Sequence, residues 1–205
     1  MTTGSGLALI EGLRWAVGDR RCRLGADALT VPRGEVAVVV ADPDAVTMLA
    51  DVVIGLSAPL GGRVVVDGDD VTGRTPDPRR AALVPAGGAL LPHLTVARNI
   101  QLALKSPERE VAELLHRLQL EGAGHLPPLR LSPDQRLRVA VARALITMPK
   151  VIVIEDLGGQ RTSELALDAA TEQNAAVLVV TDALHPVRPP AARVVGWEEA
   201  AADAG

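Results

Sequence analysis

The sequence predicts an α/β fold built on a mostly parallel sheet, and two features of its pattern carry this prediction. Short runs of β-branched and other apolar residues, typical of strands buried on both faces, occupy residues 35–41, 63–66, 81–84, 151–154 and 176–181. Helical patterns lie between them, at residues 46–56, 95–104, 107–120 and 133–147. Strands that alternate with helices in this way favour a parallel sheet covered by helices on both sides.

Two stretches differ from this alternation. The first 35 residues and residues 61–73 contain short strand patterns separated by Gly and Asp turns, which predicts an antiparallel β subdomain at the N-terminus. Residues 88–147 are mainly helical in pattern, so we expect a short helical lobe inserted between core strands. Residues 1–205 are interpreted as a single domain, whose Pro- and Ala-rich tail frays at its end.

Composition excludes several classes of protein. With 205 residues, 48% of them hydrophobic, the chain is long and apolar enough to bury a core. It has no uncharged apolar run of about 18–20 residues and no signal-peptide pattern, so we expect a cytoplasmic protein without direct membrane insertion. A single cysteine, Cys22, and four scattered histidines predict no metal site. A net charge of −4 and the absence of Phe and Tyr argue against nucleic-acid binding.

One segment of the sequence matches the motifs of a specific protein family. Residues 131–156, LSPDQRLRVAVARALITMPKVIVIED, resemble the signature helix and Walker B strand of ATP-binding cassette (ABC) transporter ATPases. Further matches follow the family's order: VPRGE at 31–35, IGL at 54–56, GGRVVVDGDDVT at 61–72 and LLPHLTVARNI at 90–100. The resemblance covers nearly the whole chain. It implies a P-loop NTPase core, an N-terminal antiparallel β subdomain and a helical lobe that meets a membrane permease subunit.

The phosphate-binding loop of the family is altered in this chain. Aligned without a gap, residues 40–48 read VADPDAVTM, with Val46 in place of the Walker A lysine and none of the three glycines. Thr47 stands where the family has its magnesium-binding hydroxyl, while Asp42 and Asp44 bring negative charge to the place of the phosphates. We therefore expect no resident cofactor, and ATP and Mg²⁺ bound only weakly if at all.

The other positions that the resemblance assigns to chemistry are altered as well. Ala86 replaces the Q-loop glutamine, and Asp182 replaces the switch histidine. The Asp-Glu pair at the end of the Walker B strand is reversed, as Glu155 and Asp156. We therefore expect no catalytic residue, and we interpret the chain as a degenerate member of the family.

The signature motif keeps Ser132 and Gln135, which in the family close over the ATP of a partner subunit. Pro133 between them has no N–H to donate, and Asp134 adds a negative charge. The resemblance thus implies a weakened contact with a partner's nucleotide.

The acidic loop has a second interpretation that needs no ligand. Asp42 followed by Pro43 is typical of a helix start, with Asp42 as N-cap and Pro43 at the first helical position. We predict that Asp42 accepts a hydrogen bond from the amide of Asp44 or Ala45 and that an ordered helix follows over residues 43–56. This interpretation is favoured over a metal site.

The motif at the start of the helical lobe, residues 90–100, still matches the family, whereas the positions that the family uses for ATP hydrolysis do not. Leu91, Pro92 and His93 lie in this pattern, so we predict that they contact a partner. The favoured function is a pseudo-ATPase subunit, peripheral to the inner face of the membrane, that docks on a membrane permease and pairs with an active ABC ATPase. Two alternatives stay open: an active ATPase whose altered site uses Thr47, Glu155 and Asp156, or a soluble scaffold or regulatory protein.

Overall fold

The computed structural model describes residues 6–104, 107–158, 163–183 and 193–199. Its strands are β1 (Gly6–Val17), β2 (Arg20–Leu24), β3 (Ala28–Pro32), β4 (Val36–Val40), β5 (Gly61–Val66), β6 (Asp69–Asp70), β7 (Ala81–Val84), β8 (Val151–Asp156), β9 (Ala176–Thr181) and β10 (Arg193–Glu199). Its α-helices are α1 (Pro43–Ile54), α2 (Pro76–Arg79), α3 (Val96–Gln101), α4 (Glu108–Arg117), α5 (Pro133–Leu145) and α6 (Glu164–Glu172). None of these helices has the length and apolar character that crossing a bilayer requires.

The described strands form one sheet in the order β6-β5-β1-β2-β10-β4-β9-β8-β7, with β3 paired to β1 off this path. Strands β4, β9, β8 and β7 run parallel to one another. Strands β1, β2, β3, β5 and β6 pair antiparallel. Both the parallel core and the antiparallel N-terminal part are therefore confirmed.

Strand β10 was not predicted. It pairs parallel with β4 and antiparallel with β2, and so it joins the antiparallel part of the sheet to the parallel part. The Pro- and Ala-rich composition around it hid the strand, because those residues are depleted in strands. The fraying expected for the end of the tail falls on residues 200–205, outside the described residues.

The parallel strands separate two hydrophobic clusters. Along β8, Val151 and Val153 pack on the side of α1 and the antiparallel strands, whereas Ile152 and Ile154 pack on the side of α5 and α6. All four side chains are fully buried. Because β8 is buried on both faces, the first four residues of its sequence are all apolar.

Helix α1 ends two residues before the predicted limit because Gly55 adopts a left-handed conformation, with φ 91°. A Cβ atom at Gly55 would lie 2.4 Å from Nε of Arg79. The buried Arg79 guanidinium donates to the carbonyl oxygens of Val52 and Val53, at 2.8 and 2.9 Å, and so binds the C-terminal turn of α1. It also donates to the carbonyls of Thr72 and Arg74.

Every regular element in the described part of residues 88–147 is helical. Its buried side chains, such as Val96 and Leu115, pack in the same cluster as Ile152 of the core. The helical content was predicted from the sequence, and the division of the chain into a domain and a lobe stays a prediction.

Contacts of one largely buried carboxylate join four segments of the fold. Asp67, in the turn between β5 and β6, accepts from Arg33 and Lys150 and from the amide of Gly6. The hydrogen bond from Arg33 holds the pKa of Asp67 well below its ordinary value, and Lys150 lowers it further. The carboxyl side chain is only 10% exposed, so its charge is stabilised by these contacts rather than by water.

Candidate functional site

The altered positions meet at one edge of the sheet. Parallel strands β4, β9, β8 and β7 end at the same edge, where α/β proteins place their ligands. Asp42 follows β4, Ala86 follows β7, Glu155 and Asp156 end β8, and Asp182 follows β9. The fold therefore gathers the positions that the sequence singled out.

Asp42 begins helix α1. Its backbone is extended, its carboxylate accepts from the amide of Ala45 at 3.1 Å, and Pro43 occupies the first turn. The predicted N-cap is confirmed. The hydrogen bond from Arg20 lowers the pKa of Asp42 below its ordinary value, and the Ala45 amide contributes in the same direction.

Arg20 is a residue of this edge that the sequence analysis missed. Its two terminal nitrogens lie 3.1 and 3.0 Å from the two carboxylate oxygens of Asp42, a bidentate ion pair. Its guanidinium carbon also lies 5.7 Å from the ring centroid of Trp197 in β10, within the range of a cation–π contact. An arginine after a Gly-Asp turn carries no sequence signal for such a contact.

Val46, Asp44 and Thr47 of the altered loop differ in their exposure to solvent. Val46, at the position of the family's lysine, is fully buried in the cluster around α1. Asp44 and Thr47 are exposed on the first turns of the helix. Val46 is thus a core residue of the fold.

Glu155 contacts the position of the Q-loop glutamine. Its Oε2 accepts from the amide of Ala86 at 3.1 Å, so the end of β8 holds the segment that follows β7. Burial raises the pKa of the Glu155 carboxyl above its ordinary value, the Ala86 amide opposes that shift, and the charge of Asp51 adds to it. Asp156, the next residue, is also buried.

Asp182 holds the segment that follows β8. Both of its carboxylate oxygens accept from the amide of Gly158, at 3.1 and 3.2 Å. The altered switch position therefore contacts the chain two residues beyond Asp156.

The signature residues form the start of α5. The Ser132 hydroxyl accepts from the amide of Gln135 at 3.2 Å, and the Gln135 side chain accepts from the amide of Ser132 at 2.9 Å. This reciprocal pair is a capping box, with Pro133 in the first turn. The retained Ser and Gln therefore have a structural role in the chain itself.

Leu91, Pro92 and His93 are exposed, and Leu91 is 38% accessible although it is apolar. A groove of about 470 Å³ opens immediately after them, between α3 and α4. Its lining is apolar where Val111 and Leu115 contribute, and the remaining lining residues are Thr95, Ala97, Arg98, Gln101, Glu108 and Ala112. The groove thus begins at Thr95, two residues after His93 in the chain, and Leu91, Pro92 and His93 are not among its lining residues.

Comparison with known proteins assigns the class. A family model described as ABC transporter matches residues 27–156, more than half of the chain. The chain therefore belongs to the ABC transporter family. A solved ATP-binding cassette of an ABC transporter has a TM-score of 0.73 at 20% identity, over 90% of this chain and 84% of that chain, so the fold is that of an ABC ATPase.

Curated relatives share part of their length with this chain. The molybdate/tungstate import ATP-binding protein WtpC of Pyrococcus horikoshii is 35% identical over 117 residues, 54% of this chain and 34% of the relative. The sulfate/thiosulfate import ATP-binding protein CysA of Synechocystis is 37% identical over 150 residues, 69% of this chain and 40% of the relative. The chain thus spans less than half the length of these curated relatives.

Proposed function

We propose that this chain is a non-hydrolysing subunit of an ABC importer. It docks on a membrane permease at the inner face of the membrane and pairs with an ATPase subunit that hydrolyses ATP. Membership of the ABC transporter family supports the transporter role, and the import proteins among its relatives support the direction of transport.

The conformation of the first turn of α1 is the main observation that supports the proposed loss of ATP hydrolysis. In the family this segment is a loop whose amides and lysine hold the β- and γ-phosphates. Here the helix begins at Pro43, the Ala45 amide donates to Asp42, and Val46 is packed in the core. A phosphate placed within about 4 Å of the Asp42 carboxylate would meet a repulsion of at most about 4 kcal/mol at an effective dielectric of 20, and the paired Arg20 guanidinium offsets part of it.

The carboxylates at the edge of the sheet support the same proposal. Glu155 accepts from the Ala86 amide and Asp182 accepts from the Gly158 amide, so both contact the protein's own backbone. These side chains do not fit a Mg²⁺–ATP complex in the way that the family's Walker B pair, glutamine and histidine do. We infer that they now stabilise the loops around the former site.

The docking part of the proposal rests on Leu91, Pro92 and His93. These residues are exposed, and two residues after His93 the chain enters the lining of the groove between α3 and α4, which combines apolar and charged side chains. An apolar segment of a permease loop that carries polar groups at its ends would be complementary to this surface.

Nucleotide assays test the proposal directly. We expect the purified chain to hydrolyse ATP no faster than a protein-free blank, and ATP with Mg²⁺ to leave its melting temperature unchanged, because a ligand stabilises only the state that it occupies. Val46→Lys should not restore turnover, since Asp42 and Asp182 would remain. ATP turnover by the unmodified chain that disappears in Asp156→Asn would contradict the proposal.

One observation favours a second candidate, an active ATPase with an altered site. Thr47 is exposed on α1, and Glu155 and Asp156 end β8, which is separated from β4 by β9 in the sheet. The Asp156→Asn comparison separates this candidate from the first. A scaffold protein without a transporter would instead fail to bind a permease in co-purification from native membranes.

A further inference from the structure

The amide side chain of Asn99 is fully buried, and its hydrogen bonds go to the loop that precedes α3. Its Oδ1 accepts from the amide of Leu91 at 2.7 Å. Its Nδ2 lies 3.1 Å from the carbonyl oxygen of Leu91 and 3.0 Å from that of Thr95, with the Leu94 carbonyl at 3.3 Å. One side chain therefore binds both ends of the loop over residues 91–95.

The chemistry of these partners fixes the orientation of the amide. A backbone N–H can only donate and a carbonyl oxygen can only accept, so the oxygen of Asn99 must face the Leu91 amide. Among the standard side chains only glutamine carries the same planar amide, with an acceptor and two donors, and its side chain is longer by one methylene. A replacement at Asn99 would remove the acceptor of the part-buried Leu91 amide, which is costly, whereas the carbonyls of Leu91 and Thr95 would keep the amides of Leu94 and Asn99 as donors.

The same loop carries the exposed residues of the proposed docking surface. Leu91 is held by Asn99 through both its N–H and its carbonyl, yet its side chain is 38% exposed. Pro92 and His93 follow it and are exposed as well. The backbone is thus held in place while the side chains stay available, and such preorganisation raises affinity because less freedom is lost on binding.

We propose that Asn99 is a positioning residue for partner docking. It touches no partner itself; it holds the loop in the conformation in which Leu91, Pro92 and His93 meet the permease. This inference rests on the proposed function and adds a residue that determines how well the docking surface is formed.

A purely structural role for Asn99 would make a different prediction, and Ile100 provides the control. Ile100 is the next residue of α3, is equally buried, and packs in the hydrophobic cluster. Ile100→Ala destabilises the helix through a cavity but leaves the hydrogen bonds of the loop in place. If Asn99 only stabilised the fold, then Asn99 and Ile100 variants of equal melting temperature would dock equally well.

The experiment compares four affinity-tagged chains: unmodified, Asn99→Ala, Asn99→Ser and Ile100→Ala. The serine variant keeps a small polar group and is used if the alanine variant does not fold. Each chain is titrated against inside-out membrane vesicles, stripped of peripheral proteins, from the organism that encodes it, and the bound permease is identified by mass spectrometry. Hydrogen exchange of the Leu91 amide is measured on the free chains.

We expect the Asn99 variants to bind the vesicles about tenfold more weakly than Ile100→Ala at matched stability, and the Leu91 amide to exchange at least about tenfold faster in the Asn99 variants alone. Equal docking of the Asn99 and Ile100 variants, with the unmodified chain bound to a permease, would overturn the role of Asn99 and leave the proposed function standing. No permease recovered with the unmodified chain would overturn the proposed function, and this inference with it.

Discussion

Replacing Asp42 tests whether the altered loop is a stable helix start without a ligand. Asp42→Ala removes the acceptor for the Ala45 amide, and the loss of an N-cap of this kind costs about 1 kcal/mol. For a domain of this size, that loss lowers the melting temperature by about 2–4 °C. Asp42→Asn keeps a good N-cap but loses the ionic contact with Arg20, which is partly exposed, so we expect a smaller loss.

Thermal and urea unfolding of the variants measure these differences, and Asp44→Ala is the matched control. Asp44 lies in the same turn and carries the same charge, but it is exposed. Because the folded-state pKa of Asp42 is lowered, its contribution is present above the unfolded-state pKa of about 4 and is lost as the pH falls through the folded-state value. Equal destabilisation by Asp42→Ala and Asp44→Ala at pH 7 would refute the capping argument.

Three further predictions concern buried charges. Asp67→Asn leaves Arg33 and Lys150 without their carboxylate, so we expect urea unfolding at pH 7 to show a loss of about 2–3 kcal/mol. Because the folded-state pKa of Asp67 is lowered, this difference is present above the unfolded-state pKa of about 4 and decreases as the pH falls below it towards the folded-state value. Arg79→Met leaves buried carbonyl oxygens at the end of α1 without donors, and thermal unfolding should show a loss of about 3 kcal/mol; an unchanged melting temperature would contradict this role. Glu155→Gln should raise the melting temperature at pH 7 but not near pH 3. The folded-state pKa of Glu155 is raised, so the wild-type chain loses stability as the pH rises through that pKa, and the neutral glutamine avoids this loss. A lower melting temperature of the variant at pH 7 would contradict the effect of burial.

The fold could be predicted from local patterns wherever burial decides the residue type. Val151 and Ile152 face opposite clusters, so the run that contains them is apolar throughout and is visible as a strand. Strand β10 has no such pattern, because Arg193 and Glu198 are exposed and Gly196 interrupts it. Its place depends on pairing with β2 and β4, which are distant in sequence.

The candidate site could be predicted in part. The start of α1 follows from Asp42 and Pro43, because capping involves neighbours in sequence. Arg20 and Asn99 could not be found in this way. The partner of Arg20 lies 22 residues further along the chain, and a polar residue within a short amphipathic helix gives no sign that it is buried.

The position of β10 has a consequence for synthesis on the ribosome. The strand lies in the middle of the sheet, yet it comes after every other described strand in the chain. A chain released from the exit tunnel only as far as β9 has an open edge on β2 and another on β4, and exposed strand edges promote association between chains. Among the described strands only β10 joins the two parts of the sheet by hydrogen bonds, so these two edges stay unpaired until residues 193–199 have emerged from the ribosome.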